Sequence, residues 1–147
     1  MNEATAQVSK TIAAPPAEIW RALTSPEKLK KYFFGADVES SWRVGDPIHM
    51  RGEFKGKSYE DKGEILAAES GKRLAFSHWS ALSGAADRPE NYHVVTFDLA
   101  PNRDGTTVSL TQSNLTGGVK PADRENRAEY EKNWRSVLDG LAKVLDD

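Results

Sequence analysis

Three histidines, His49, His78 and His93, are the side chains of this sequence with the clearest capacity for acid–base chemistry. An imidazole exchanges its proton near neutral pH, so two of them in one pocket could act as general acid and base. His78 and His93 lie in segments that alternate polar and apolar residues, and both fall on the apolar face. Neither has an Asp or Glu at a spacing that indicates a triad, and no Ser-centred elbow is present. We therefore interpret both as polar residues in the wall or rim of a pocket and assign no catalytic residue.

Metal and cofactor sites find little support in the sequence. The three histidines lie in separate segments with no ligand-spaced pair, and the chain contains no Cys for a thiolate site. Gly52, Gly56 and Gly63 lack the spacing of a phosphate-binding or dinucleotide-binding loop. They are more typical of turns and bulges where a sheet bends. We predict neither a metal nor a cofactor.

Composition favours one ordered domain over residues 1–147, because 38% of the residues are hydrophobic and the length suits one core. The 20 Lys and Arg against 22 Asp and Glu give a net charge of -2, without the basic footprint of a nucleic-acid partner. No run approaches the roughly 20 apolar residues of a membrane helix, and Met1–Lys10 lacks the apolar segment of a signal peptide. With no cysteine either, we expect a cytoplasmic protein.

The elements that must position the histidines are predicted to be strands. Thr5 to Ile12 alternates and predicts a first strand, and Pro15-Pro16 and Ser25-Pro26 each begin a short helical pattern. Turn residues then separate period-two segments that predict an antiparallel meander. These segments are Ile48 to Phe54, Tyr59 to Ala68, Leu74 to Trp79, Tyr92 to Leu99 and Thr107 to Gln112. The patternless stretch from Ser80 to Asn91 is interpreted as a mobile lid or a disordered tip.

The last segment predicts a long amphipathic helix, with Tyr130, Trp134, Leu138 and Leu141 on one stripe. Strands, two short helices and this long helix make an α+β layout. Only the long helix is large enough to cover the apolar face of the sheet. If the sheet curves, the space between the two becomes a cavity.

Aromatic residues are numerous enough to fill the core and still leave part of their surface on such a cavity. Most of them are interpreted as core. The sharper interpretation is an apolar ligand site with a few polar groups that orient the ligand. The candidate ligand-binding residues are Phe54, Phe76, His78, Tyr92, His93, Gln112, Trp134 and Leu138.

Blocks of sequence over nearly the whole chain resemble a known family. The run from Ile12 to Leu29, IAAPPAEIWRALTSPEKL, resembles the opening signature of the activator of heat-shock protein 90 ATPase homologue family, within the START-like (SRPBCC) superfamily. Similar blocks follow in order, at Val44-Gly45-Asp46, Gly63 to Leu66, Lys72 to Phe76, Thr107 to Thr111 and Asn133 to Leu141. The sequence departs from the family pattern at Asn133, where Gly is usual, and at His78, where an aromatic residue is common.

The resemblance implies the helix-grip fold, which is also that of the birch-pollen allergen. This fold is a curved antiparallel sheet of six or seven strands wrapped around the C-terminal helix, with two short helices after the first strand.

Several functions remain open, because a fold does not determine a function. The superfamily includes lipid carriers, hormone receptors, polyketide cyclases, a self-sacrificing resistance protein and co-chaperones. Our first hypothesis is a non-enzymatic protein that binds a small apolar or aromatic ligand. One alternative is an activator of the chaperone ATPase, which is a stress-response role. The eukaryotic co-chaperone carries a separate N-terminal domain that is absent here, and this weakens the alternative. Another is a cyclase or hydrolase that uses His78 or His93, and both a monomer and a homodimer stay open.

The basic residues Lys28, Lys30 and Lys31 bear on the choice between these functions. We interpret them as a solvated helix face, with a docking patch for an acidic partner as the alternative.

Overall fold

The alternating segments form one antiparallel sheet in the computed structural model, which describes residues 3–80 and 83–146, apart from the side chains of Phe54 and Asp146. The strands are β1 (Ala4–Ile12), β2 (Asp37–Ser40), β3 (Pro47–Phe54), β4 (Lys57–Glu69), β5 (Arg73–His78), β6 (His93–Asn102) and β7 (Gly105–Asn114). Within the described residues the sheet has seven strands in the order β1-β7-β6-β5-β4-β3-β2. The first strand therefore pairs with the last.

Three helices complete the fold in this part of the chain: α1 (Pro16–Leu23), α2 (Pro26–Tyr32) and α3 (Pro121–Asp146). Both short helices begin at the prolines that the sequence indicated, where a missing N–H costs no hydrogen bond. The side chain of Ser25 accepts a hydrogen bond from the backbone N–H of Lys28 and so caps α2. These elements confirm the predicted α+β layout, the two short helices after the first strand and the long C-terminal helix.

One strand was missed by the sequence reasoning. β2 has four residues, and only Val38 among them is buried, so it is too short to show an alternating pattern. It pairs with β3 at the edge of the sheet, and the meander prediction is otherwise confirmed.

The glycines of β3 and β4 lie where the chain bends or approaches a neighbour closely. Gly56 follows Lys55 in the β3–β4 turn, and both have a positive φ, of +80° and +52°. A Cβ atom on Gly63 would lie 1.7 Å from the carbonyl oxygen of Ser77 in β5, so only glycine fits there. The prediction of a turn is confirmed at Gly56, whereas Gly63 is required by the close approach of β5.

The core lies between the sheet and the C-terminal half of α3. Val137, Leu138 and Leu141 of the helix are buried, as are Phe97 and Leu110 on the facing strands. This confirms the predicted apolar stripe, and burial of these side chains supplies the main driving force for folding. No described helix is both long and apolar enough to cross a membrane.

Candidate functional site

A cavity of about 290 Å³ lies between the sheet and the N-terminal half of α3. Its floor comes from five neighbouring strands, β3 to β7, and the segment after α2 closes one side. At the other end of the fold the core is closely packed, with a residual void of about 10 Å³ around Leu23, Ile48 and Phe97. The N-terminal half of α3 therefore faces a cavity, whereas Val137, Leu138 and Leu141 in its C-terminal half are buried in the core.

Strand register explains why this end of the cavity carries polar groups. Phe76 of β5 pairs with Val95 of β6, and Val95 pairs with Gln112 of β7. A second row lies two positions further along these strands, nearer their ends, where His78 pairs with His93. Because side chains alternate between the faces, both rows stand on the same face of the sheet. The inner row is almost fully buried, whereas the two histidines are partly exposed.

The structure places most of the candidate ligand-binding residues around this cavity. Five of the eight contribute to its wall: Phe76, His78, His93, Gln112 and Trp134. Whether they contact a ligand remains a prediction.

The other three candidates are not found in the wall. Tyr92 precedes His93 and faces the opposite side of the sheet, where its hydroxyl donates a hydrogen bond to Asp87. Leu138 lies one turn beyond Trp134 and is only 1% exposed, so it belongs to the solid core. The side chain of Phe54 lies outside the described part of the structure.

Asp61 is the residue of the site that the sequence reasoning missed. Its Oδ2 lies 3.0 Å from Nε2 of His78, and both residues line the cavity. No sequence spacing had indicated this acidic partner of His78, because the two residues lie on different strands. The available signal was the position of Asp61 on the same face of β4 as Ile65, since an acidic residue on the buried face of a strand requires a partner.

The Asp61 carboxylate is only partly satisfied by the protein. The residue is 9% exposed, and its second oxygen, Oδ1, is buried without a hydrogen-bond partner among the described residues. Its negative charge also reaches Tyr59, whose pKa is raised first by burial and then by Asp61. The cavity therefore contains a negative charge at its polar end.

His93 lies in the cavity wall beside the start of α3, and its burial has an electrostatic effect. Burial lowers its pKa, because the neutral ring is favoured away from water. The nearby Asp123 opposes this shift, whereas the neighbouring His78 and Lys120 add to it, and the net pKa is lowered. The His93 ring also lies against Tyr130 of α3, with 6.3 Å between ring centroids.

Asp123 anchors the start of α3 beside His93. It is 4% exposed and accepts hydrogen bonds from Asn114 Nδ2 at 2.8 Å and the backbone N–H of Lys120 at 2.9 Å. Burial alone would raise the pKa of this carboxyl group, but the two hydrogen bonds and the fields of His93 and Lys120 lower it overall. The helix end nearest the cavity is thus held to β7.

Phe34 and Asn133 lie at the exposed rim of the cavity. Phe34 is 58% exposed and has a φ of +56°, which is unusual for a residue other than glycine. Its ring contacts Phe33 and Trp134, with centroid separations of 5.3 Å and 6.2 Å. Asn133, the departure from the family pattern, therefore adds an amide at the rim.

A metal site finds no support in the described part of the chain, where no three His, Asp or Glu residues are grouped as ligands. In particular His49 lies away from the other two histidines, next to Glu60 on the β3–β4 pair. The chemistry available to the cavity is therefore acid–base and hydrogen-bonding chemistry on an apolar background.

Comparisons with known proteins agree with this architecture. A family model described as "Activator of Hsp90 ATPase homolog 1-like protein" matches residues 13–146. The solution structure of ChR145 from Cytophaga hutchinsonii is 44% identical, with 96% of this chain and 92% of that chain covered and a TM-score of 0.78. Among curated proteins, no match is found.

Two more distant structures share the fold. The Aha1 dimer from Colwellia psychrerythraea is 23% identical over 95% of this chain and 93% of that one, with a TM-score of 0.69. DynU16, from the dynemicin biosynthetic locus, is 20% identical over 96% of this chain and 46% of that one, with a TM-score of 0.75. These structural neighbours are helix-grip proteins of the SRPBCC superfamily, and the fold of this chain is the same.

Proposed function

The chain belongs to the family of Activator of Hsp90 ATPase homolog 1-like proteins, and from this premise we propose that it is a small-molecule binding protein. Its ligand is apolar or aromatic and occupies the cavity between the sheet and α3. The observation that carries the proposal is the cavity of about 290 Å³, with a buried inner row of Phe76, Val95 and Gln112 and a partly exposed outer row of two histidines. We propose that it acts in the cytoplasm, as a single domain over residues 1–147, without a cofactor.

The energetics of the cavity favour a binding role. A void among large apolar side chains forfeits dispersion contacts and weakens a fold, so a well-packed core is the default in proteins. Here the C-terminal half of α3 follows that default, and its N-terminal half does not. Beside Trp134, the cavity wall includes the small side chains of Ala36 and Val95. Larger side chains at these two positions would fill part of the cavity. A bound ligand would supply the missing contacts.

The size and lining of the cavity define the class of ligand. Ligand pockets usually measure about 300 to 1,000 Å³, so this cavity fits a molecule at the small end of that range. Phe33, Phe76 and Trp134 offer ring surfaces, which favours an aromatic molecule. The histidines and Gln112 would orient it through hydrogen bonds.

Native mass spectrometry of gently purified protein, followed by a thermal-shift screen of apolar and aromatic metabolites, tests the proposal. A ligand that binds only the folded state must raise the melting temperature, by an amount that grows with its concentration. We expect a co-purifying mass or a concentration-dependent shift. Failure of every compound in a broad screen to shift the wild type would contradict a binding role.

A second candidate function is stimulation of the chaperone ATPase, which the family description names. The observation that favours it is the exposure of large apolar side chains, with Phe34 58% and Val44 64% exposed. Such residues are available to a protein partner in a monomer and would be covered in a homodimer. Added protein should then raise chaperone ATP hydrolysis, and Phe34→Ser should weaken the effect. Unchanged hydrolysis at saturating concentration excludes this function.

A further inference from the structure

The polar end of the cavity holds a carboxylate–imidazole pair with unused hydrogen-bonding capacity. Asp61 and His78 both line the cavity, and their contact joins Oδ2 to Nε2. An ionised carboxylate can only accept hydrogen bonds, so in the neutral ring Nε2 must carry the hydrogen. Nδ1 of His78 is then the basic nitrogen, and it takes no part in the contact with Asp61.

A second group at this end is also unpartnered. Asp61 Oδ1 is buried, and it has no hydrogen-bond partner among the described residues. Buried polar atoms are nearly always paired in folded proteins, so an orphaned carboxylate oxygen in a cavity wall marks a place for a donor. Besides their mutual contact, the pair therefore has two further acceptor atoms, Nδ1 of His78 and the buried Oδ1 of Asp61, and one negative charge.

Much of the remaining lining is aromatic. Phe76 lies beside His78 on the same face of β5, and Trp134 faces this row from α3 with its indole nitrogen already bonded to Gln112. These rings can therefore stack on a ligand, but they do not donate a hydrogen bond to it. A ligand that both stacks on these rings and donates to the acceptors of the Asp61–His78 pair has an aromatic ring and a hydroxyl group that can lose its proton.

We propose, on the basis of the binding function above, that the ligand is a small aromatic molecule with a phenolic or enolic hydroxyl, and that His78, positioned by Asp61, accepts the hydroxyl proton. The O–H bond of the ligand breaks and an N–H bond forms at Nδ1. The electron pair stays on the ligand oxygen, and the resulting imidazolium lies between that oxygen and the Asp61 carboxylate. No electron transfer or co-reactant is required.

The surrounding charges favour a ligand that enters as the neutral hydroxyl compound. A carboxylic acid, already ionised at neutral pH, would meet the charge of Asp61 on entry. The other titratable groups that line the cavity are Tyr59 on β4, His93 on β6 and Tyr130 on α3. None of these is an anion at neutral pH, so the Asp61 carboxylate is the partner that stabilises the imidazolium.

Absorbance titration with 4-nitrophenol tests this proposal, because its phenolate absorbs at longer wavelength than the phenol. The pH is chosen so that the free probe is protonated. The matched control ligand is 4-nitroanisole, which has the same ring and no hydroxyl proton, and its binding is measured by thermal shift. We expect the phenolate band to appear on binding, and nitrophenol to bind about tenfold more tightly than nitroanisole.

Two variants assign the proton to its acceptor. His78→Gln should abolish the phenolate band and the preference for nitrophenol, while nitroanisole still binds. Asp61→Asn should reduce the band, because the imidazolium loses its carboxylate partner. Circular dichroism confirms that each variant is folded, and the comparison of the two probes on the wild type needs no variant.

The outcomes separate this proposal from the binding function on which it rests. Equal affinity for the two probes without a phenolate band would overturn proton acceptance and leave the aromatic binding function intact. A phenolate band that survives in His78→Gln would overturn the role of His78. Binding of neither probe would overturn the ligand class, and failure of the broad screen would then remove the binding function as well.

Discussion

The indole nitrogen of Trp134 donates a 2.8 Å hydrogen bond to Oε1 of Gln112 and so joins the long helix to the sheet at the cavity wall. The side-chain nitrogen of Gln112, Nε2, donates in turn to the hydroxyl of Thr5 at 3.0 Å. That hydroxyl donates to the backbone carbonyl of Gln112 at 3.3 Å. Gln112 is 5% exposed and Thr5 is 1% exposed. Each of these buried groups therefore depends on its partners.

Trp134→Phe should lower the free energy of unfolding by about 1 to 3 kcal/mol, because it leaves Gln112 Oε1 buried without its donor. Urea denaturation, followed by circular dichroism, measures the change. Gln112 would retain only its bond to Thr5, and its side chain would be less firmly held in the cavity wall.

Trp79→Phe is the matched control for this prediction. The indole nitrogen of Trp79 is buried without a hydrogen-bond partner among the described residues, so its removal breaks no hydrogen bond. Both substitutions remove a similar amount of ring. Equal losses of stability in the two variants would mean that ring size, and not the bond to Gln112, accounts for the effect.

The cavity should be closed by a larger side chain at Val95. This residue is 1% exposed in the centre of β6, between Phe76 and Gln112 in the register of the sheet. Val95→Phe would extend a ring into the cavity of about 290 Å³, and we expect at least about a tenfold loss of affinity for any ligand found in the screen. Isothermal titration calorimetry measures this loss.

Leu66→Phe provides the control for Val95→Phe, since Leu66 is 37% exposed and does not line the cavity. It adds a ring of the same kind and should leave ligand affinity unchanged. Undiminished affinity in Val95→Phe would show that the ligand binds elsewhere, and would contradict the proposed site.

Sequence patterns predicted which faces of the strands turn inward, and this was sufficient for Phe76, His78, His93 and Gln112. Period two determines the face of each residue, and the antiparallel register then brings His78 and His93 together. Tyr92 was misplaced because it directly precedes His93 in the chain, and alternation sends neighbouring side chains to opposite faces.

The remaining features depend on geometry that periodicity does not contain. The Asp61–His78 contact requires a particular register between β4 and β5, which shifts between Ile65 and Ala67. Leu138 lies on the predicted stripe of α3, but the stripe does not reveal which part of the helix faces packed side chains and which faces the cavity. The Asp61–His78 contact and the division of α3 between core and cavity depend on the curvature of the sheet, which the periodicity of the sequence does not reveal.

Stability should depend on pH through His93, with a sign set by its burial. The ordinary pKa of a histidine is about 6.5, and burial, partly opposed by Asp123 and reinforced by His78 and Lys120, lowers the pKa of His93 below this. The folded state then binds fewer protons than the unfolded state. The contribution of His93 is fully present above the unfolded pKa and is lost as the pH falls through the folded pKa.

We therefore expect the free energy of unfolding to fall between about pH 7 and pH 5, and to fall less in His93→Gln. Urea denaturation at several pH values gives the difference between wild type and variant. Any loss of packing in the variant is independent of pH, whereas the titration of His93 is not. A difference that stays constant over this range would contradict the lowered pKa.

We expect replacement of Gly140 to lower the stability of the fold, although this residue lies inside a helix, where glycine is unfavourable. Gly140→Ala would gain about 1 kcal/mol in helix propensity. A Cβ atom at this position would lie 2.6 Å from Cβ of Tyr32 in α2, a residue that is 7% exposed and whose hydroxyl donates to the Ala22 carbonyl at 2.7 Å. Because Tyr32 is held at both ends, α3 and α2 would have to separate.

Overpacking of this kind costs about 1 to 3 kcal/mol, which should outweigh the gain in propensity. We therefore expect Gly140→Ala to lower the melting temperature, as measured by differential scanning calorimetry. Ser136→Ala, at an exposed position one turn earlier on the same helix, tests helix propensity without a new contact and should leave stability equal or higher. Stabilisation of both variants to a similar degree would show that the two helices accommodate the methyl group, and that their close approach does not require glycine.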